Sequence, residues 1–215
     1  MEFSDSLFRM YRAGGLKRIW HEFYECYLFD LLNQTDTYKR VSLEEYDQTD
    51  YIEHACEYMP SYSSVITKSI KKILINDSKV LDNQFVDIGC GKGKSLILAS
   101  KIGFKSGTGF ELNKKLADIA QNNLQIKKIN KSFKILNCNA VSSDIIPCFS
   151  ICYFYNPFDK NLSKKFFQIL NENKSKNNKY LIYVNPLYSD LLINDWVLID
   201  KFIIGTQDVE IWINS

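Results

Sequence analysis

Residues 85–100 read "FVDIGCGKGKSLILAS": a short apolar run, Phe85–Ile88, then three glycines in five positions, then a second apolar run. Glycine lacks a Cβ and reaches backbone conformations closed to other residues. A cluster of this density marks a sharp turn that something approaches closely. Strand, glycine-rich turn, helix is also the order that presents bare backbone and a helix N-terminus to a ligand. Gly89, Gly91 and Gly93 form G-x-G-x-G, one residue shorter than the dinucleotide pattern. The P-loop pattern fails too, because Lys94-Ser95 would require a glycine at position 88, which is Ile88. Asp87 sits two residues before the first glycine, where a carboxylate repels phosphate and suits a ligand carrying positive charge, such as an amino group.

Outward from this turn the chain alternates strand and helix. A helix is expected over 61–75, from the spacing of Tyr62, Ile66, Ser69, Ile70 and Ile73, with Ser61 as its cap. Phe85–Ile88 is a buried strand, and Leu96, Ala99 and Ile102 continue as a helix that stops near Gly103. Lys105–Glu111 is a second strand, and Asn113 caps a helix with Leu116, Ile119, Ala120 and Leu124 inside. Strands follow at Phe133–Asn137, Phe149–Tyr155 and Tyr180–Val184, with a helix carrying Leu162, Phe166, Ile169 and Leu170 before the last of them. Trp196–Ile203 and Val209–Ile213 are joined by a tight link containing Gly205, so the final strand is antiparallel. The expected fold is an α/β, Rossmann-like sheet of about seven strands, mostly parallel, with helices on both faces.

Residues 1–59 differ, and are expected to form an N-terminal helical extension or lid ahead of a sheet domain over 60–215. Ile19, Phe23, Tyr27 and Leu31 fall on one helical stripe. The stripe can pack on the sheet domain, pair with a second copy in a homodimer, or, with Arg9, Arg12, Lys17 and Arg18 beside it, lie on a membrane surface. A chain of 215 residues with 46% apolar and 24% charged side chains and a net charge of +2 is ordinary for one globular domain. That charge does not of itself call for nucleic acid or membrane. No apolar run approaches the ~20 residues of a membrane span. Six cysteines without metal-type spacing point to a reduced, cytoplasmic protein.

Glu111 closes the second strand, twenty-four residues beyond Asp87, where a carboxylate accepts hydrogen bonds from both hydroxyls of a ribose. With these two segments in place, the chain resembles the class I S-adenosylmethionine-dependent methyltransferases: "VDIGCGKGK" is similar to their first motif and "GFELN" to their second. The resemblance covers roughly residues 60–215. It implies S-adenosyl-L-methionine as cofactor, with Asp87 and the loop Gly89, Cys90, Gly91 and Gly93 holding its methionine part, and Glu111 with Leu112 its ribose. It further implies adenine recognition by Asn139, where the family more often has an acid, and by the amide of Ala140. Asn139 also reads as an ordinary turn residue. In several members a segment placed like "EYMPSYSSV" (57–65) closes over the cofactor, which puts Pro60, Ser61 and Tyr62 near it; an ordinary helix start fits the same residues.

The end of the fourth strand reads "ICYFYNPFDKN", and Asn156-Pro157-Phe158 resembles the Asn/Asp-Pro-Pro-Tyr/Phe motif of methyltransferases acting on planar amino groups. There the amide oxygen and a proline carbonyl accept hydrogen bonds from the NH2 while the aromatic ring stacks on it. This chain has one proline, which leaves the substrate open. The layout is also similar to the lysine-methylating branch of the same fold. Asn156 could equally cap a helix before Asp159, and "YVNPLY" (183–188) repeats the Asn-Pro pair at the next strand end. The expected activity is N-methylation of a protein side chain or small amine, with nucleic acid not excluded as acceptor. The alternatives are O-methylation of a small molecule or sugar, and a cofactor-binding scaffold without turnover. No metal site is expected, since Asp144 and Asp159 do not make a carboxylate cluster. His21 and His54, the latter beside Glu53, are the only histidines and precede the sheet domain.

Overall fold

The computed structural model describes residues 15–16, 19–39, 58–141, 146–172 and 178–214. Arg9, Arg12, Lys17, Arg18, Glu53, His54, Cys56 and Asp144 lie outside the described residues. Seven strands form one sheet: β1 Gln84–Ile88, β2 Gly107–Glu111, β3 Phe133–Asn137, β4 Phe149–Phe154, β5 Lys179–Val184, β6 Val197–Ile204 and β7 Gln207–Asn214. Their spatial order is β3-β2-β1-β4-β5-β7-β6. The neighbours from β3 to β5 pair in parallel, and β7 runs antiparallel to both β5 and β6. The chain moves outward from β1 on one side and returns to β4 on the other. Beyond the carboxyl ends of these two strands it therefore leaves a crevice, the place where such sheets take ligands.

Around the sheet lie α1 Leu28–Asn33, α2 Ser63–Asn76, α3 Lys94–Ile102, α4 Lys114–Ile126 and α5 Lys160–Glu172. Both faces are dry. Val65, Ile66 and Ile70 of α2 and Leu96 of α3 pack with Phe85, Ile151 and Ile182 on one side. Phe166, Phe167 and Leu170 of α5 pack with Val86, Ile88, Phe154 and Trp212 on the other. Each such side chain contributes roughly 1.5–3 kcal/mol on burial. That term outweighs the poor strand propensity of Gly107 and Gly109 in β2. A Cβ on Gly107 would stand 2.7 Å from the Phe133 ring, and one on Gly109 2.6 Å from Cys90 Sγ.

Several local expectations are corrected. β2 begins at Gly107 rather than Lys105, and β4 ends at Phe154, one residue early, because Asn156 leaves the extended region at φ +39°. Ser61 does not cap α2: the cap position is Tyr62, without a side-chain bond, and the Ser61 hydroxyl pairs with Tyr153 at 2.8 Å. Asn113 does cap α4, accepting from Leu116 N–H at 3.0 Å. Asp159, not Asn156, caps α5, through Leu162 N–H at 2.9 Å.

The N-terminal helix shows the largest correction. Around the π-helical turn Phe23–Tyr27, the side facing the protein is Glu22, Cys26, Phe29 and Asn33. Phe23, Tyr27 and Leu31 of the apolar stripe are exposed, so of the three roles expected for it they do not serve packing on the sheet domain. Polar residues hold the inner face by specific bonds: Glu22 accepts from Tyr62 hydroxyl at 2.9 Å, Glu25 from Ser64 N–H at 2.9 Å, and Asn33 accepts from Lys101. Hydrophobic periodicity alone does not find the face that packs on the sheet domain when a buried acid is satisfied in this way. Among the described residues no helix is long and apolar enough to cross a membrane.

Candidate active site

The glycine turn joins β1 to α3. Gly89, Gly91 and Gly93 all adopt left-handed backbone, at φ +71°, +51° and +81°. The turn hangs on β2: Gly89 and Cys90 N–H both donate to Phe110 O at 2.9 Å, and Gly91 N–H donates to Glu111 Oε2 at 2.8 Å. Each glycine has a protein neighbour. A Cβ on Gly89 would lie 2.8 Å from Pro157, one on Gly93 3.3 Å from Ala120, and one on Gly91 would run into the ring of Tyr58. What comes close to this bare backbone therefore includes the chain itself.

Asp87 and Glu111 flank the turn from adjacent strands. Asp87 is 4% exposed and accepts from the hydroxyl of Ser95, in the first turn of α3. Burial pushes its carboxyl up to about 7, opposed by the Ser95 hydrogen bond and reinforced by the Glu111 charge. Glu111, 9% exposed, accepts from Gly91 N–H and, through Oε1, from Asn113 N–H at 2.9 Å. Burial raises its carboxyl as well, against the backbone N–H groups that lower it. Among the described residues both carboxylates are held by neutral donors, and no lysine or arginine pairs with either. Two buried acids without a counter-ion are costly unless protonated or met by a cation.

At the other expected cofactor positions, the Cys90 thiol is buried against Gly109, and Leu112 lends its carbonyl to Asn137 Nδ2 at 2.8 Å. Asn139 Oδ1 accepts from Val141 N–H at 2.9 Å, closing a local turn, and Ala140 beside it is buried. Tyr62 is directed elsewhere: its ring stands edge-on to His21 at 4.8 Å and its hydroxyl reaches Glu22. Tyr58, four residues earlier, supplies the ring over Gly91.

Tyr58 belongs to a strap. Its hydroxyl donates to Thr37 O at 2.6 Å, and Asp30 folds the strap by accepting from Thr37 N–H at 2.7 Å and Tyr38 N–H at 2.6 Å. Lys92, between the second and third glycines and only 1% exposed, pairs with Asp36 at 2.9 Å. Asn123 of α4 binds both sides, donating to Lys92 O at 2.9 Å and to Asp36 O at 3.0 Å. Tyr58, Asp36, Thr37, Lys92, Asn123 and Ser95 were not singled out by motif. Only Ser95, a hydroxyl two residues beyond the last glycine, could have been.

The expected acceptor residues leave the end of β4. Asn156 Oδ1 accepts from the Tyr183 hydroxyl at 3.1 Å, Pro157 packs on Gly89, and the half-buried ring of Phe158 meets Phe154 and Phe166 edge-on at 5.6 and 5.9 Å. At the end of β5, Asn185 is left-handed too, at φ +48°. The structure thus brings Asp87, Glu111, the glycine loop and Pro157 together, and holds Asn156 at the adjoining strand end. A separate hollow of about 430 Å³, lined by Asp77, Lys79, Asn83, Ser150 and Asn178, opens at the amino ends of β1 and β4, the opposite end of the sheet.

No family model matches the sequence, and no curated protein is similar to it. Solved structures do match. An RNA methyltransferase from Salinibacter ruber, in complex with S-adenosyl-L-homocysteine, aligns at 17% identity over 73% of this chain and 94% of its own, with a TM-score of 0.60. A putative methylase from Haemophilus influenzae aligns at 21% identity over 69% and 88%, TM-score 0.57. A ribosomal protein L11 methylase from Lactobacillus delbrueckii subsp. bulgaricus aligns at 14% identity over 71% and 78%, TM-score 0.58. The chain has the Rossmann-like fold that these methyltransferases share, with its last strand reversed and a helix added in front.

Proposed function

We propose that the protein is an S-adenosylmethionine-dependent methyltransferase that N-methylates a protein side chain or a small amine. The observation that carries this reading is the pair of buried carboxylates, Asp87 and Glu111, bracketing a left-handed glycine turn and meeting no cation among the described residues. A ligand that brings an ammonium group and a vicinal diol to that turn supplies what the site lacks. S-adenosylmethionine has both, and a methyltransferase of the same fold is described with its demethylated product. At the turn's surface the Tyr58 ring covers Gly91 and walls the loop on the strap side.

When bound, the cofactor supplies a methyl group on a sulfonium centre that is already a strong electrophile. The work left to the protein is mostly alignment, worth roughly 7–11 kcal/mol when reacting atoms are held in line. Asp87, once a cation draws its proton off, neutralises the ammonium end of the donor. Glu111 keeps lone pairs for the ribose hydroxyls beyond those given to Gly91 and Asn113. Asn139 and Ala140 are assigned to the adenine edge. Asn156 retains one lone pair on Oδ1 besides that given to Tyr183, and with the Pro157 carbonyl orients the acceptor nitrogen; Phe158 backs that turn. The test is transfer of a labelled methyl group from S-adenosylmethionine to peptide, small-amine and RNA pools. Label entering the peptide or amine pool supports the reading, label entering RNA alone moves the acceptor to nucleic acid, and label entering none removes the enzyme.

A further inference from the structure

We propose that Tyr183 is a positioning residue that fixes the orientation of the Asn156 amide; the catalytic meaning of this rests on the methyltransferase reading, its geometry does not. A phenol hydroxyl has one proton to donate and two lone pairs. In Tyr183 both lone pairs are taken, by Leu187 N–H and Tyr188 N–H at 3.3 Å each. The proton then has one described destination, Asn156 Oδ1 at 3.1 Å. Because the hydroxyl is saturated as an acceptor, the amide must turn its oxygen, not its nitrogen, toward Tyr183. The Asn156 orientation, normally ambiguous between two flips, is therefore determined by the backbone donors of Leu187 and Tyr188, in the segment that follows the next strand. Tyr183 is fully buried, with its ring against Phe154 at 5.1 Å, so the anchor is rigid. Burial also pushes its phenol up to about 12, which keeps the proton on it at any physiological pH.

The hydrogen bond has a strained element to hold. Asn156 is left-handed at φ +39° and precedes a proline, and each condition disfavours the other. The neighbouring strand end repeats the device in reverse. Asn185, left-handed before Pro186, donates from Nδ2 to the Tyr155 hydroxyl at 3.1 Å and accepts from Asp208 N–H at 3.0 Å. The tyrosine at each strand's end thus binds the asparagine that follows the other strand, and the ends of β4 and β5 are locked as a unit. Among the described residues the Asn156 amide nitrogen has no partner, so the edge that this lock leaves for an acceptor consists of two N–H donors and the remaining oxygen lone pair.

The test is side-chain amide NMR on the ligand-free protein, which does not depend on any acceptor. The Asn156 NH2 pair is assigned by its loss in Asn156→Asp. In Tyr183→Phe that pair is expected to shift and broaden while the Asn185 pair stays in place; an Asn156 pair unmoved in Tyr183→Phe overturns the proposal. Should Tyr183→Phe fail to fold, 3-fluorotyrosine at position 183 keeps the hydroxyl. Its fluorine signal is expected to move in Asn156→Ala, and an unmoved signal is equally fatal. Where methyl transfer is established, Tyr183→Phe is expected to lower kcat roughly 10- to 100-fold through misplacement, with S-adenosylhomocysteine affinity unchanged. In an Asn156→Ala background it should then have no further effect. Absence of turnover would remove the methyltransferase reading while the spectra still decide the role of Tyr183.

Discussion

Two kinds of turn leave the same edge of the sheet with the same backbone sign and are held in different ways. The turn after β1 puts glycine at all three left-handed positions and is secured from outside, by Pro157, Tyr58 and Ala120 pressing on bare backbone. The turns after β4 and β5 put asparagine there and are secured from inside, by the asparagine side chains, which accept from the Tyr183 hydroxyl and Asp208 N–H and donate to the Tyr155 hydroxyl. The difference teaches where tolerance lies. A glycine turn fails when a side chain is added, while an asparagine turn tolerates glycine, which reaches the same left-handed backbone without the bonds.

The largest effect is expected at Gly91. Gly91→Ala combines a Cβ at φ +51° with a collision on Tyr58, destabilising by roughly 1–3 kcal/mol. It should also abolish detectable S-adenosylhomocysteine binding by calorimetry. Adding Tyr58→Ala should recover part of the stability, read as the denaturant midpoint. No recovery would mean that the ring is not what demands glycine.

Next comes Asp87. Its carboxyl is raised from 3.8 to about 7 in the fold, so the folded protein binds the proton more tightly than the unfolded chain. The resulting stability is fully present below about pH 4 and is lost as pH rises through about 7. Asp87→Asn is therefore expected to raise Tm at pH 8, by about 2–4 °C for each kcal/mol recovered, while weakening cofactor binding. In the native chain a cationic ligand must displace that proton. Affinity should climb between pH 6 and 8 with proton release measurable in buffers of different ionisation heat, and Asp87→Asn should flatten the climb.

A smaller effect is expected at the strap. Lys92 is buried but Asp36 is 54% exposed, so solvent screens the pair and Lys92→Met should cost no more than about 1 kcal/mol. Its signature is faster native-state proteolysis within 34–39. The smallest is Asn185→Gly, expected within about 0.5 kcal/mol because glycine relieves the strain at φ +48° as it removes two hydrogen bonds. A loss of several kcal/mol there would break the contrast between the two kinds of turn.

How much of this was legible in sequence follows from what each feature depends on. β3 matches its expected range, Phe133–Asn137, residue for residue, and the reversed β7 follows from the short Gly205 link. Both rest on local pattern. The Asp87–glycine–Glu111 constellation was readable because turn chemistry and a strand-end acid recur at short spacing. The inner face of the N-terminal helix was not, because Glu22, Glu25 and Asn33 are held by partners 39 to 68 positions away. The same holds for Tyr58 in place of Tyr62. Both are aromatic residues in one segment, and only the strap bond to Thr37 decides which ring reaches the loop. The Tyr183–Asn156 bond spans 27 positions between two strands whose pairing must be known first.

Calorimetric titration of the protein with S-adenosylhomocysteine, with NAD as the control and Glu111→Ala as the variant, tests the central claim most directly. The account predicts saturable one-site binding of the sulfur nucleoside, none of NAD, and loss of binding in Glu111→Ala. Saturation by NAD alone, or nucleoside binding that survives in Glu111→Ala undiminished, would contradict it.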